Sequence, residues 1–186
     1  MIINNYNQVT DGIHKYFYKR TDLLLGGNQG EVLETFRKAC GLINGEVGKI
    51  IATSSVYQTK AWGVTDQPDF LNAVISVMTA FTPEQVLQKT QQIETSLGRI
   101  RYEKWGARMI DIDILFMEDM VLELEELCIP HAQVQYRKFT LEPMEELRPD
   151  YIHPVLMKSM KQINHDCPDT LDVKKAFPKE SLFDRN

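Results

Sequence analysis

The chain has 186 residues, 43% of them hydrophobic and 25% charged, with a formal net charge of −5, enough for one globular domain with a substantial core. No run approaches the roughly 18–20 apolar residues of a membrane-spanning helix, and the acidic balance argues against a nucleic-acid binder, whose hold on phosphate backbone rests on Lys and Arg. Cys40, Cys128 and Cys167 are widely spaced and fit neither a disulfide framework nor a zinc site, and the N-terminus lacks a secretory signal, so a cytoplasmic monomer is expected.

The first twenty residues are polar, aromatic and irregular and read as an N-terminal extension. Leu23-Leu24-Leu25 then runs into Gly26-Gly27-Asn28-Gln29-Gly30, a buried strand ending in a tight turn. That turn lacks the Lys-Ser/Thr of a P-loop and the spacing of a dinucleotide fingerprint, so its glycines serve the turn better than a phosphate. A helix is predicted over 31–43 and a β-branched strand over 49–58. Residues 70–79 alternate, with Leu71, Ala73, Ile75 and Val77 on one face and Phe70, Asn72, Val74 and Ser76 on the other. Thr82, Pro83 and Gln85 form a capping-box start for a helix that Gly98 stops, and Gln91 and Glu94 share one of its faces. After an arginine-rich loop comes the apolar strand 109–116, expected to pair across the Glu118-Asp119 turn with the run Met120-Val121-Leu122. Residues 132–147 read as mainly helical, and the chain past Pro149 as a polar tail. The β-α-β-β-α-β order predicts an α+β, ferredoxin-like sandwich with an antiparallel sheet and added C-terminal elements, a single domain over 1–186 whose tail covers 164–186.

The sharpest chemical signal is Ile110-Asp111-Ile112-Asp113-Ile114. Alternate strand residues point the same way, so Asp111 and Asp113 project together with ~7 Å between their α-carbons, and the isoleucines go to the core. Two such carboxylates repel, and a hard divalent cation such as Mg²⁺ removes the conflict; the plainer reading is two solvent-facing acids. Arg99, Arg101 and Arg108 flank this strand, and acids beside several guanidinium groups describe a polyphosphate site better than a surface salt-bridge patch. Phe70 and Asn72 could stack on a flat heterocycle and read its edge, or belong to a mixed core face. Trp62 and Trp105 lie in glycine-containing loops that could close over a ring system. His131 could meet a phosphate or be structural. No Ser-His-Asp or Cys-His arrangement stands out.

These segments, taken in order, resemble the 6-hydroxymethyl-7,8-dihydropterin pyrophosphokinase family. The matches are Leu25-Gly26-Gly27-Asn28-Gln29-Gly30, Ser54-Ser55-Val56-Tyr57-Gln58-Thr59, Asp66-Gln67-Pro68-Asp69-Phe70-Leu71-Asn72-Ala73, Gln91 with Glu94, Gly98-Arg99-Ile100-Arg101, Trp105-Gly106-Ala107-Arg108, Asp111-Ile112-Asp113-Ile114-Leu115 and Ile129-Pro130-His131. The resemblance implies transfer of pyrophosphate from ATP to the pterin hydroxymethyl oxygen, releasing AMP, in folate biosynthesis. It implies that Asp111 and Asp113 hold two Mg²⁺ ions, and that Arg99, Arg101, Arg108, His131 and Arg137 contact phosphate, with Arg99 and Arg108 catalytic. Gln91, Glu94 and Ile114 match ATP-site positions. Phe70 and Phe139 match the aromatic pair around the pterin, Asn72 the residue that reads its edge, Thr59 and Trp62 loop positions against it, and Trp105 the gating tryptophan. Lys60 stands where the family commonly has proline, Lys104 replaces a common arginine, Phe70 a common tyrosine, and the loop from Gly98 to Trp105 is one residue shorter than in some relatives.

Two other classes share parts of this pattern. Other Mg-dependent phosphotransferases and nucleotidyltransferases also set acids beside arginines; they release ADP or free pyrophosphate instead of AMP. An RNA-binding ferredoxin-like module would stack bases on sheet aromatics, but the acidic charge and the lack of a basic-aromatic strand speak against it.

Overall fold

The computed structural model describes residues 18–60, 67–99 and 108–183. In chain order its elements are β1 (Lys19–Gly27), α1 (Val32–Glu46), β2 (Lys49–Thr53), β3 (Val56–Thr59), β4 (Phe70–Thr79), α2 (Pro83–Ser96), β5 (Asp111–Met117), β6 (Leu122–Glu123), β7 (Cys128–Ile129), a 3-10 turn Val134–Tyr136, α3 (Lys138–Leu147), α4 (Met160–Asp166), β8 (Val173–Phe177) and a 3-10 turn Lys179–Leu182. The main sheet is antiparallel, in the order β5-β1-β4-β3-β8, with β2 also paired to β4. This is the ferredoxin-like arrangement with C-terminal additions.

The alternation read along β4 sorts the two faces. Leu71, Ala73, Ile75 and Val77 join Leu23, Leu25, Ile112 and Ile114 beneath α1 and α2, where Phe36, Ala39, Ile43, Val86 and Ile93 close the core. Leu24 and Val74 face the other way and pack with Phe116, Leu141, Met144, Met160 and Ile163 under α3 and α4. The α2 capping box forms as expected: Thr82 Oγ1 accepts from Gln85 N–H, the Gln85 side chain accepts from Thr82 N–H, and Gly98 takes φ +90° just past the helix end.

Four expectations are corrected. The strand over 49–58 is two strands, because Ser54 interrupts it: its N–H donates to Val74 O at 2.8 Å and its hydroxyl accepts from Val74 N–H at 2.9 Å, a side chain replacing a ladder bond. The run near Val121 does not pair with β5. Leu122–Glu123 pairs with Cys128–Ile129 instead, and the outer edge of β5 is used otherwise, with Ile112 N–H donating to Glu94 Oε1 at 2.6 Å and Leu115 O accepting from His131 N–H at 2.9 Å. The segment past Pro149 is more than a polar tail: β8 adds an edge strand beside β3. At the other terminus, Lys19 and Arg20 belong to β1 rather than to an extension, the Arg20 side chain donating to Ser76 Oγ.

The second layer is pinned by charge. Asp22 is fully buried and accepts from the Ser76 hydroxyl and from Arg148 Nη1, the latter at 2.5 Å, which ties the end of α3 to β1. Glu146, two residues earlier, accepts from Ser55 Oγ at 2.9 Å and from Tyr57 Oη at 2.7 Å. A buried charge is tolerable only when paired in this way, so these contacts dictate where α3 lies on the sheet.

Candidate active site

On the α3 side of the sheet, register places side chains in rows. Asp111, Gly26, Asn72 and Tyr57 stand side by side on β5, β1, β4 and β3, and Asp113, Leu24 and Val74 form the next row. Gly26 leaves the middle of the first row empty; a Cβ there would come 3.4 Å from Asn72 Oδ1. Above these rows lies a cavity of about 390 Å³, with Asp111, Asp113, Arg108 and Arg137 at one end and Thr59, Phe70, Asn72 and Phe139 also in its lining.

The β1–α1 turn builds the floor. Gly27 is there because a Cβ would meet Met109 O at 2.7 Å, and Gly30 because it takes φ +69°. Asn28 braces three segments: Nδ2 donates to Pro68 O at 3.2 Å, Oδ1 accepts from Arg108 N–H at 2.9 Å, and its own N–H donates to Arg108 O at 3.0 Å. The turn thus holds the approach to Phe70 and the start of the acidic strand in one place.

At the charged end, Asp111 takes Arg99 on Oδ1 at 2.5 Å and Arg108 on Oδ2. Arg99 also pairs with Glu94 at 2.5 Å, and Glu94 is 3% exposed. Burial pushes the Glu94 carboxyl up to about 7, opposed by the Ile112 N–H bond and Arg99. Burial and then the charge of Asp111 push Asp113 up to about 6, with Arg99, Arg137 and Arg108 pulling the other way. Among the described residues no cation lies within ion-pair distance of Asp113, so its carboxylate is the acid still to be neutralised. Among the described residues no third His, Cys, Asp or Glu joins the two carboxylates, and such a pair suits Mg²⁺, which takes one or two protein carboxylates and completes its shell with phosphate and water oxygens. The donor set therefore fits the metal. His131 Nδ1 accepts from Gln133 N–H at 3.2 Å, and burial, then Arg137, lower its pKa; its neutral form carries the proton on Nε2, ready to donate.

At the aromatic end, Phe70 lies opposite Thr59 in the β3–β4 ladder. Asn72 Nδ2 donates to Thr59 Oγ1 at 3.2 Å, which fixes the carboxamide. Phe139 sits in the first turn of α3. An arginine stands over each ring, Arg108 at 5.9 Å from the Phe70 centroid and Arg137 at 5.7 Å from that of Phe139. One chamber thus joins paired acids and guanidinium groups to two aromatic rings and a fixed amide.

The sequence profile of the 7,8-dihydro-6-hydroxymethylpterin-pyrophosphokinase (HPPK) family matches residues 23–149. The chain belongs to this family. It is 39% identical over 140 residues to the 2-amino-4-hydroxy-6-hydroxymethyldihydropteridine pyrophosphokinase of Synechocystis sp., covering 75% of this chain and 71% of that protein. To the enzyme of the same name from Aquifex aeolicus it is 38% identical over 138 residues, 74% of this chain and 86% of the relative. The folic acid synthesis protein fol1 of Schizosaccharomyces pombe aligns at 35% over 85% of this chain, which spans 22% of that longer protein. Among solved structures, HPPK-DHPS of Plasmodium falciparum with pteroate superposes with a TM-score of 0.68 at 18% identity, over 80% of this chain and 42% of that one, a likeness of fold.

Against the family pattern, the structure brings Asp111, Asp113, Arg108, Arg137, Thr59, Phe70, Asn72 and Phe139 to one cavity. Arg99 reaches it through Asp111, and Glu94 lies beneath it, orienting Arg99 and gripping Ile112. The Ile114 side chain points into the helix-side core, which leaves only its backbone for a nucleotide. Gln91 is half-buried on α2 and His131 follows β7; neither lines the described cavity. Trp62, Arg101 and Trp105 lie outside the described residues. Sequence reasoning missed Gln133, Tyr136, Asp169 and Leu171 in the lining. Gln133 and Tyr136 follow the Ile129-Pro130-His131 motif closely, and that proximity was their signal; Asp169 and Leu171 carried no local signal.

Proposed function

We propose that this chain transfers the β,γ-pyrophosphoryl group of ATP to the hydroxymethyl oxygen of 6-hydroxymethyl-7,8-dihydropterin, releasing AMP, with Mg²⁺ held by Asp111 and Asp113. The reading has the reaction run in the cytoplasm on these two small molecules. The observation that carries it is a single cavity that places two carboxylates and the arginines beside two aromatic rings and a fixed carboxamide. That combination suits a flat heterocycle at one end and a polyphosphate at the other.

The residues divide the work. Phe70 and Phe139 stack on the pterin, and Asn72, its amide turned by Thr59, reads the donor–acceptor edge. These contacts fix the acceptor hydroxyl relative to the phosphorus it attacks, the positioning that a two-substrate transfer depends on. Arg99 and Arg108, already gathered at the site by Asp111, follow the charge that moves from the attacked phosphorus onto the leaving AMP. His131 donates from Nε2 to a phosphate oxygen. Mg²⁺ bound by the two carboxylates would supply neutralisation of the triphosphate and ease ionisation of the acceptor hydroxyl.

Asp113→Ala tests the assignment. It should lower kcat by roughly a thousandfold or more while thermal stability stays level or rises, since a half-buried acid held above its usual range is removed. Near-wild-type turnover in a folded Asp113→Ala protein would remove the metal role.

A further inference from the structure

The matched family region ends at residue 149, but the cavity continues past it. Asp169 and Leu171 line the cavity from the segment between α4 and β8, a stretch to which the sequence reading gave no role. That segment is fastened to the aromatic end of the site on both sides. On one side, Asp169 Oδ2 accepts from Lys138 N–H at 2.9 Å and Oδ1 accepts from Leu171 N–H at 3.0 Å. Lys138 is the first residue of α3, and the N-cap residue Arg137 makes no side-chain capping bond. Asp169 therefore supplies from a distant part of the chain the acceptor and negative charge that a helix start favours. The Lys138 ammonium adds a second tie, donating to Asn164 O at 2.6 Å and Asn164 Oδ1 at 3.0 Å. The next residue in this turn is Phe139. On the other side, Val173 at the start of β8 pairs with Thr59, the residue that orients the Asn72 amide.

We infer that residues 169–171 form a fixed wall of the pterin pocket, in which Leu171 packs against the bound ring system and Asp169 is a positioning residue that holds the Phe139 turn. This rests on the reading of the cavity given above. Each oxygen of Asp169 accepts from a backbone N–H, and Leu171 gives the wall an apolar surface that matches the face or edge of a flat, uncharged heterocycle. The wall thus makes pterin affinity depend on a part of the chain outside the matched family region.

The test uses the full chain and measures the Kd of 6-hydroxymethyl-7,8-dihydropterin with Mg²⁺ and a non-hydrolysable ATP analogue, and the Kd of the analogue alone. Leu171→Ala should weaken pterin binding about fivefold to tenfold, with analogue affinity and Tm unchanged, and Leu171→Met should restore it. Asp169→Ala should raise KM for the pterin more than it lowers kcat, and Asp169→Asn, which keeps one accepting oxygen, should fall between. Phe70→Ala serves as the control for the pocket itself. Wild-type pterin affinity in Leu171→Ala beside a loss in Phe70→Ala overturns the wall and leaves the pocket standing. Unchanged affinity in both overturns the pocket reading and the wall with it. Equal losses of pterin and analogue binding in Leu171→Ala, with a lowered Tm, would show a general packing role and overturn the inference as well.

Discussion

Asp111 and Asp113 are one pleat apart on the same strand face and live in different surroundings. Asp111 is held by two guanidinium groups, whereas Asp113 is pushed up to about 6 by burial and by its neighbour. The alternation in Ile110-Asp111-Ile112-Asp113-Ile114 showed that the two acids share a face, but not which of them the arginines would take, because that depends on where α2 brings Arg99 and Glu94. The glycines of the first turn were legible as turn residues, and the structure adds why one of them is obligatory. Gly27 presses against the carbonyl of Met109, the residue that leads into the acidic strand. Gly27→Ala should therefore cost about 1–3 kcal/mol, an overpacking penalty against backbone, measured as a shift in the urea midpoint. An unchanged midpoint would show that the two segments separate more easily than the packing implies.

Elements announced themselves where their cause was local. The α2 helix carries its start and stop within its own sequence, Thr82, Pro83 and Gln85 at one end and Gly98 at the other, and it forms with those caps in place. The alternation in β4 likewise sorted its two faces correctly. The elements that escaped depend on partners far along the chain. Ser54 breaks a β-branched run because its hydroxyl meets Val74 N–H, twenty residues on, and β8 is a polar strand whose identity comes from the edge of β3. The expected hairpin after β5 fails because Glu94 and His131 already satisfy that edge. Ser54→Ala should leave Val74 N–H buried without its acceptor and cost about 1–3 kcal/mol, read by chemical denaturation. A loss well below that range would mean that the ladder closes over the gap.

At the scale of the whole molecule, a sheet with helices on both faces leaves the α3 side of the β5-β1-β4-β3 rows open as a chamber, and the C-terminal segment closes one wall. The same second layer carries a pH response. His153 packs edge-on against Phe116 at 5.5 Å, and its Nδ1 accepts from the N–H groups of Val155 and Leu156 at 3.2 Å each. Burial lowers its pKa below the ordinary value near 6.5. The neutral ring is the one the fold holds, so its contribution is fully present above about 6.5 and is lost as pH falls through the folded value. Asp113 and Glu94, held above the usual carboxylate range, act in the opposite sense, so the comparison must be made against His153→Gln. Wild type should lose its advantage over that variant between about pH 7 and pH 5, and a pH-independent gap in unfolding free energy would contradict this role.

The family signature made the reaction legible, because most of the residues proposed to meet polyphosphate and pterin lie in short local motifs around β1, β4 and β5. What supports those residues, from Asp169 on the Phe139 turn to Glu94 behind Arg99, is long-range and emerged only with the fold. The central claim concerns the bond that breaks in ATP, and the products of Mg-ATP turnover with and without 6-hydroxymethyl-7,8-dihydropterin test it most directly. The account predicts AMP and pterin diphosphate in equal amounts, formed only when both pterin and Mg²⁺ are present; ADP, free pyrophosphate, or AMP released independently of the pterin would contradict it.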